Sequence, residues 1–131
     1  MAFFDYIYRK NNSYSDVRII SADNVLEESV WEILSTHGKS CISCLIPVTW
    51  PIKPFRGVSV SGFLTPGTDK NFTYPVDFKQ EIKDLFGDSF MIDIQNHRDL
   101  SKKKLLKKVY EMTNQHFDLM EYLIKNKDWD L

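Results

Sequence analysis

The chain has 131 residues, 43 % of them hydrophobic and 27 % charged, which is typical of one soluble globular domain spanning residues 1–131. Its formal net charge of −1 disfavours a general nucleic-acid-binding role, because proteins that bind polyanions usually carry a strong basic excess. No window approaches the roughly 18 apolar residues of a membrane span, and no signal-peptide pattern opens the sequence. We therefore expect a cytoplasmic domain that binds neither nucleic acid nor a membrane.

The first part of the chain predicts a hairpin followed by a short helix. Residues 3–8 and 17–20 are β-prone and flank turn-forming residues, so they should pair as two extended segments. Apolar residues at helical spacing then lead to Gly38, which is placed to end a helix in a left-handed cap. Ser29 and Glu32 are the favoured capping box, with Asn24 and Glu27 as the alternative.

Residues 40–46 form a short apolar run that is typical of a central strand covered on both faces. A strand after a helix indicates an α/β layer. The run contains Cys41 and Cys44, whose spacing allows a redox or zinc interpretation. On a strand, residues three apart point to opposite faces, so we expect two buried or half-buried thiols that behave as small hydrophobes.

All five prolines and three of the five glycines fall within residues 47–75. Such a stretch cannot be helical, although residues 58–61 alternate like a short strand. Long ordered loops are often functional, and this one contains the densest set of polar residues in the chain. The candidate ligand-binding residues are Thr49, Trp50, Lys53 and Arg56. The competing interpretation is a connection that packs Trp50 and Phe55 onto the domain.

The remainder predicts a helix, a strand and a long final helix. Asp77 with Gln80 should cap a helix ending at Gly87, residues 90–94 should form a strand, and Ser101 should cap a helix to about Asn126. The apolar stripe expected on the final helix comprises Leu105, Val109, Met112, His116, Met120 and Leu123.

Three further features of these helices have more than one interpretation. Five lysines crowd the first two turns of the final helix, either as a solvated face or as a surface for an anion or partner. His37 is expected in the last turn of its helix, where the helix dipole favours a cation, rather than as a metal ligand. His116 is expected to be a hydrogen-bonded core residue rather than a metal ligand.

Several short motifs occur in an order that resembles one region of the type I phosphodiesterase/nucleotide pyrophosphatase family. The similarity extends over nearly the whole chain from Phe3 onward, and the order of the motifs is more specific than any one of them. The matching segments are residues 29–34, 38–39, 47–54, 60–66, 72–75 and 129–130.

The resemblance implies an α/β fold of the alkaline phosphatase superfamily, with a mixed, mostly parallel sheet flanked by helices. It also implies a Thr or Ser nucleophile beside two divalent metals such as zinc. The family's nucleophile and first metal-ligand Asp precede the segment that matches Phe3, and its other ligands follow the segment that matches Leu131. No catalytic residue and no metal ligand is therefore assigned here, and Thr49, Ser61 and Thr65 are not substitutes for the missing nucleophile.

Two functions from different classes follow. The first is a truncated or split relative of a metal-dependent phosphodiesterase, catalytically incomplete alone, which retains recognition of a phosphate-containing small molecule. It would need another chain to supply the missing segments. The second is a non-catalytic interaction or scaffolding protein that forms a homo-oligomer, most simply a dimer, through residues 3–8 and the stripe Met112, Met120 and Leu123 of the last helix.

Overall fold

The computed structural model describes residues 6–9 and 15–131, which form five strands and three α-helices. This mixture of helices and small sheets confirms an α/β chain with a long C-terminal helix. The elements are β1 (Ile7–Arg9), β2 (Val17–Ile19), α1 (Val30–Thr36), β3 (Cys41–Ile46), β4 (Gly57–Ser61), β5 (Thr73–Tyr74), α2 (Phe78–Phe86) and α3 (Lys102–Asn126).

The described strands form two small sheets. β1 and β2 pair antiparallel, as the predicted hairpin requires, while residues 3–5 and 10–13 of that prediction lie outside the described residues. In the second sheet the strand order is β3-β4-β5, with β3 parallel to β4 and β4 antiparallel to β5. One of the three described strand pairs is parallel, so a mostly parallel sheet is not supported.

The predicted loop over residues 47–75 is not one continuous loop, because β4 and β5 lie within it. The alternating residues 58–61 fall in β4, which is the central strand of the second sheet. β3 is not central in that order. Beyond the pairing of β3 with β4, Ile42 of β3 and the preceding Ser40 contact the end of the chain. Ile42 N donates to Leu131 O at 2.8 Å, and Asp130 N donates to Ser40 O at 2.7 Å.

Gly57 allows β3 and β4 to begin side by side. It has φ +135°, a conformation that side chains rarely adopt, and a Cβ built there would lie 1.9 Å from the carbonyl oxygen of Cys41. Only glycine fits between the two strands at this position.

The two faces of the second sheet are covered by different elements. Val58 and Val60 lie on one face and belong to the core cluster, whereas Ser59 between them lies on the other. The register pairs Ser43 with Ser59, so both serines share that second face. α1 packs against β3, and Trp31 of α1 and Ser59 line a common cleft. The core cluster consists of Val58, Val60, Phe72, Phe78, Ile82, Phe90, Ile92, Leu119 and Leu123.

Local signals placed α1 and α3 correctly. Ser29 and Glu32 form the predicted capping box, and Gly38 follows the helix with φ +75°. Ser101 caps α3 by accepting a hydrogen bond from Lys104 N, and α3 ends at Asn126 as predicted.

Both histidines that the sequence singled out hydrogen-bond to the backbone. A ring nitrogen of His116 lies 2.7 Å from Met91 O, which agrees with its prediction as a hydrogen-bonded core residue. His37 is the C-cap of α1, and its Nδ1 lies 2.9 Å from Ile33 O.

Two predictions for residues 77–94 are wrong. Asp77 is already helical, with φ −68° and ψ −19°, so its side chain does not cap α2. Residues 90–94 form no strand although Phe90, Ile92 and Ile94 are buried in alternation. The reason is that α3 side chains bind this backbone in place of a neighbouring strand. The side-chain oxygen of Gln115 accepts a hydrogen bond from Met91 N at 3.0 Å. The carbonyl oxygen of Met91 lies 2.7 Å from a ring nitrogen of His116.

The predicted stripe of α3 is correct at Leu105, Met112, His116 and Leu123, which are buried or half-buried, and wrong at Val109 and Met120, which are exposed. Leu123 is fully buried, as is Leu119, which the prediction omitted, while Met120 is exposed. The face with Leu119 and Leu123 packs into the core because it meets Phe78 and Ile82 of α2 in the same cluster.

Candidate functional site

A small cleft of about 60 Å³, partly open to solvent, lies where α1, the segment after β3 and the serine face of the sheet meet. It contains one cationic and one anionic side chain, three hydroxyl groups and apolar walls. Its lining residues are Ala22, Val25, Ser29, Trp31, Glu32, Val48, Thr49, Lys53, Phe55 and Ser59.

One wall is the first turn of α1, whose polar groups are held by the capping box. Glu32 accepts hydrogen bonds from Ser29 N at 2.7 Å and from Ser29 Oγ at 2.5 Å. Partial burial raises the pKa of Glu32, but the bonds from Ser29 and the positive charge of Lys53 outweigh it, so the net pKa lies below its ordinary value. Glu32 is thus a fixed carboxylate at neutral pH.

The segment after β3 brings Thr49 and Lys53, two of the four predicted site residues, to the same cleft. Thr49 Oγ1 donates to Ile46 O at 2.7 Å and accepts from Gly62 N at 3.3 Å, so its hydroxyl also holds the turn after β3. Lys53 is exposed and donates no hydrogen bond to any described residue, although its charge acts on Glu32. Lys53 is therefore the cation of this cleft that can still bind an anion.

The other two predicted residues lie elsewhere. Trp50 is not part of the cleft lining, and its Nε1 donates to Asn71 O at 3.2 Å. Arg56 is exposed. The pKa of Asp130 is lowered mainly by the hydrogen bonds from Ser40 N and Lys39 to its carboxylate, and the charge of Arg56 adds a smaller contribution. The structure thus brings Thr49 and Lys53 together and separates them from Trp50 and Arg56.

The apolar part of the cleft was missed by sequence reasoning. Trp31 and Phe55 lie with their ring centroids 6.4 Å apart and an interplanar angle of 45°. Trp31 follows the cap of α1, and Phe55 precedes β4, so only the tertiary fold brings the rings together. The capping box at Ser29 and Glu32 was the local signal in the sequence that could have identified the first turn of α1 as one wall of the cleft.

The serine face of the sheet carries the buried hydroxyls of Ser43, Ser59 and Ser61, of which Ser59 lines the cleft. Ser61 accepts a hydrogen bond from Thr65 Oγ1 at 2.8 Å, which satisfies this pair. Ser43 is 1 % exposed, and its Oγ has no hydrogen-bond partner within the described part of the chain. A buried hydroxyl without a partner is costly, and such exceptions require an explanation.

Two wider grooves flank Phe90, but their charges are already engaged. Lys79 Nζ donates to Asp69 O at 3.3 Å and to Lys70 O at 3.2 Å. Lys83 pairs with Asp88 at 3.1 Å. The grooves, of about 320 and 410 Å³, are larger than the cleft but hold no cation comparable to Lys53 among their described lining residues.

The described residues include two cysteines on β3 and no cluster of metal-binding side chains. Both thiols are free, and the pKa of each is raised by burial, that of Cys44 to about 12. They are thus protonated at neutral pH, which agrees with the prediction of hydrophobe-like strand cysteines. Across residues 6–9 and 15–131, no group of three or more His, Cys, Asp or Glu side chains could hold a metal ion. The described residues therefore do not supply the ligand set of a two-metal centre.

Comparison with known proteins adds no relative. No family model, curated protein or solved structure matches this chain. The resemblance to the phosphodiesterase family therefore stays a prediction from short motifs. Of the helices in the described residues, none is both long and apolar enough to cross a membrane.

Proposed function

We propose that this chain is a phosphodiesterase-related module that binds a small phosphate ester in the cleft at Lys53 and is catalytically incomplete alone. The observation that carries the proposal is that Lys53, Trp31 and Phe55 line one cleft. A lysine ammonium offers a mobile charge for phosphate, and the two rings offer apolar surface for the organic part of an ester.

The family relationship and the location belong to the same proposal. The ordered motifs support a relative of the type I phosphodiesterase/nucleotide pyrophosphatase family, and the parallel β3–β4 pair is the part of the sheet that fits that family's mostly parallel sheet. We further propose a cytoplasmic location. Hydrolysis would need a nucleophile and metal ligands from segments outside this sequence, in the same or another chain.

Glu32 limits the affinity. Its carboxylate is charged at neutral pH and lies in the same cleft, so it partly offsets the attraction between Lys53 and an anion. A single exposed lysine opposed by a carboxylate supports weak binding, with a dissociation constant of about 1 mM.

The test is a titration followed by amide chemical shifts in NMR, with phenyl phosphate as the probe and phenol and inorganic phosphate as its two halves. Phenyl phosphate should shift the amides of residues 29–32 and 53–55, and it should bind more tightly than either half. Lys53→Gln should weaken phenyl phosphate at least about threefold, whereas the exposed Lys108→Gln should have no effect.

Two results would contradict the phosphate site. One is an unchanged affinity in Lys53→Gln, and the other is a set of shifts confined to the grooves beside Phe90. The catalytic part of the proposal has a separate assay, hydrolysis of a chromogenic phosphodiester with zinc or manganese. Metal-dependent turnover that survives repurification and is abolished by one substitution in this chain would show that the chain is a complete enzyme.

A second candidate function is self-association as a scaffold, and one observation favours it. α3 exposes several large apolar side chains, among them Tyr110 at 64 % and Phe117 at 65 %. Large exposed apolar patches on a folded protein usually mark interaction surfaces.

A further inference from the structure

All the exposed large apolar residues of α3 except Val109, together with the half-buried Thr113, follow a coiled-coil spacing. Successive members of the series are four, three, four, three and four residues apart, which is the spacing of positions a and d in a heptad repeat. We call this series the outer seam, and it consists of Leu106, Tyr110, Thr113, Phe117, Met120 and Ile124.

The outer seam is distinct from the face of α3 that packs into the core. Leu119 and Leu123 are fully buried, whereas Leu106, Phe117 and Ile124 are each more than half exposed. At a rise of 1.5 Å per residue the seam is about 27 Å long. α3 thus has two apolar faces, one covered by this chain and one exposed along most of the helix.

We propose that the outer seam pairs antiparallel with the same seam of a second copy of this chain. The inference rests on the second candidate function, self-association, and is independent of phosphate binding at Lys53. A two-fold contact of this kind uses the same surface on both copies, which is the commonest arrangement in homodimers.

The seam is self-complementary when the helices run in opposite directions. Leu106 then lies opposite Ile124 of the second copy, Tyr110 opposite Met120, and Thr113 opposite Phe117. Each layer therefore places position a of one helix against position d of the other, and each aromatic ring meets a smaller side chain. Packing of large against small side chains is what interdigitated helix pairs require.

The charges beside the seam favour the same direction. Lys107 and Glu121 border the seam on one side, and in the antiparallel register Lys107 lies opposite Glu121 of the second copy, twice per dimer. The first turns of α3 carry Lys102, Lys103, Lys104, Lys107 and Lys108. A parallel pair would bring these lysine clusters together, and their repulsion disfavours it.

The contact is expected to be modest in size. An aromatic side chain buries about 150–250 Å² when fully covered, so the four rings of the dimer supply several hundred Å². With the aliphatic residues of the seam, the total buried area reaches about 1,200 Å², which is the lower end of the range for specific protein–protein interfaces. We therefore expect a reversible dimer with a micromolar dissociation constant.

The first experiment is sedimentation velocity over a wide range of protein concentration. The unmodified protein should pass from monomer to dimer as concentration rises, and Phe117→Glu should raise the dissociation constant at least about tenfold. Leu26→Glu is the matched control, because Leu26 is 79 % exposed and lies outside α3. All substituted residues are exposed, and circular dichroism checks that each variant remains folded.

The second experiment tests direction by charge reversal. Lys107→Glu and Glu121→Lys should each weaken the dimer about threefold, and the double variant should recover the original affinity. Each single change also breaks a pair within the helix, Lys107 with Glu111 or Glu121 with Lys125. The double variant restores neither, so recovery can only come from pairing between two helices.

The outcomes separate the inference from the function on which it rests. A dimer unaffected by Phe117→Glu overturns the outer seam as its interface but leaves self-association standing. Failure of the double variant to recover overturns the antiparallel register. A monomer at every concentration overturns self-association as well, and means that something other than a second copy covers the seam.

Discussion

On one face of the three-stranded sheet Val58 and Val60 pack into an apolar core, whereas the opposite face presents the hydroxyls of buried serines. The apolar face is closed by α2 and α3, and every member of its core cluster is buried. The serine face is covered by α1 and by the aromatic pair Trp31 and Phe55, with a cleft left between them. The same strands thus build a stabilising face and a face that retains polar groups and space.

The difference between the two faces indicates that one of them mainly stabilises the fold and that the other is available for binding. Large apolar side chains at close packing supply most of the folding free energy of a small domain. Small hydroxyl side chains supply little, and an unsatisfied one such as Ser43 opposes folding. Departures from the usual rules of packing are expected near functional sites. The serine face is therefore the side of the sheet on which a binding site is expected.

The largest expected effect is on the apolar face. Leu119→Ala removes a side chain that is 0 % exposed and packed within the core cluster, so it should lower the free energy of unfolding by about 2–5 kcal/mol. Chemical denaturation followed by circular dichroism measures this change. The same substitution at Leu26, which is 79 % exposed, should cost far less. Equal effects at the two positions would show that the apolar face is not where stability resides.

A smaller, pH-dependent effect is expected where α2 and α3 are joined over that face. Lys127 Nζ donates to the two carboxylate oxygens of Glu81 at 2.7 and 2.8 Å, and Tyr122 OH donates at 2.7 Å. The bond from Lys127 is the main cause that holds the pKa of Glu81 below its ordinary value of 4.5. A carboxylate with a lowered pKa stabilises the fold above the unfolded value, and this stabilisation is lost as the pH falls through the folded value.

Glu81→Gln should therefore destabilise the protein by about 1 kcal/mol at neutral pH, since the carboxylate is partly exposed and screened. The difference from the unmodified protein should fade as the pH falls below 4.5. Denaturation curves at several pH values measure it, with the exposed Glu111→Gln as control. A difference that is constant with pH would mean that the charge of Glu81 contributes nothing.

Local features of the fold could be predicted from the sequence because their determinants are adjacent in the chain. The capping box of Ser29 and Glu32, the left-handed Gly38 and the cap at Ser101 each depend on residues within about one helical turn. The faces of β3 on which its cysteines lie also follow directly from the two-residue period of a strand.

Features set by tertiary contacts could not be predicted in the same way. Residues 90–94 alternate like a strand, but Gln115 and His116 of α3 bind this backbone, and nothing local reveals that. The predicted stripe of α3 was right at four of six positions but included the exposed Met120 in place of the buried Leu119, because the helix has two apolar faces and the sequence alone does not say which one meets α2. For the candidate site, the sequence placed Thr49 and Lys53 but not the walls at Trp31 and Phe55, which come from distant segments.

The smallest and sharpest prediction concerns the serine face. Ser43 Oγ is buried without a partner, so Ser43→Ala should leave the free energy of unfolding unchanged or raise it by up to about 1 kcal/mol. Ser61 is equally buried, but its hydroxyl accepts a bond from Thr65 at 2.8 Å, so Ser61→Ala should lower stability by about 1 kcal/mol. Two substitutions of the same kind on one sheet face are thus expected to have opposite or clearly different effects.

Denaturation of the two variants side by side gives the answer. If Ser43→Ala costs as much as Ser61→Ala, Ser43 has a hydrogen-bond partner in solution, and the serine face is a satisfied polar layer. If Ser43→Ala is neutral or stabilising, as we expect, the hydroxyl does not contribute to folding, and its position beside Ser59 must be explained by something other than stability. Ser43 pairs in register with Ser59, and Ser59 lines the cleft. Ser43→Ala should therefore also be titrated with phenyl phosphate, to test whether this hydroxyl contributes to binding.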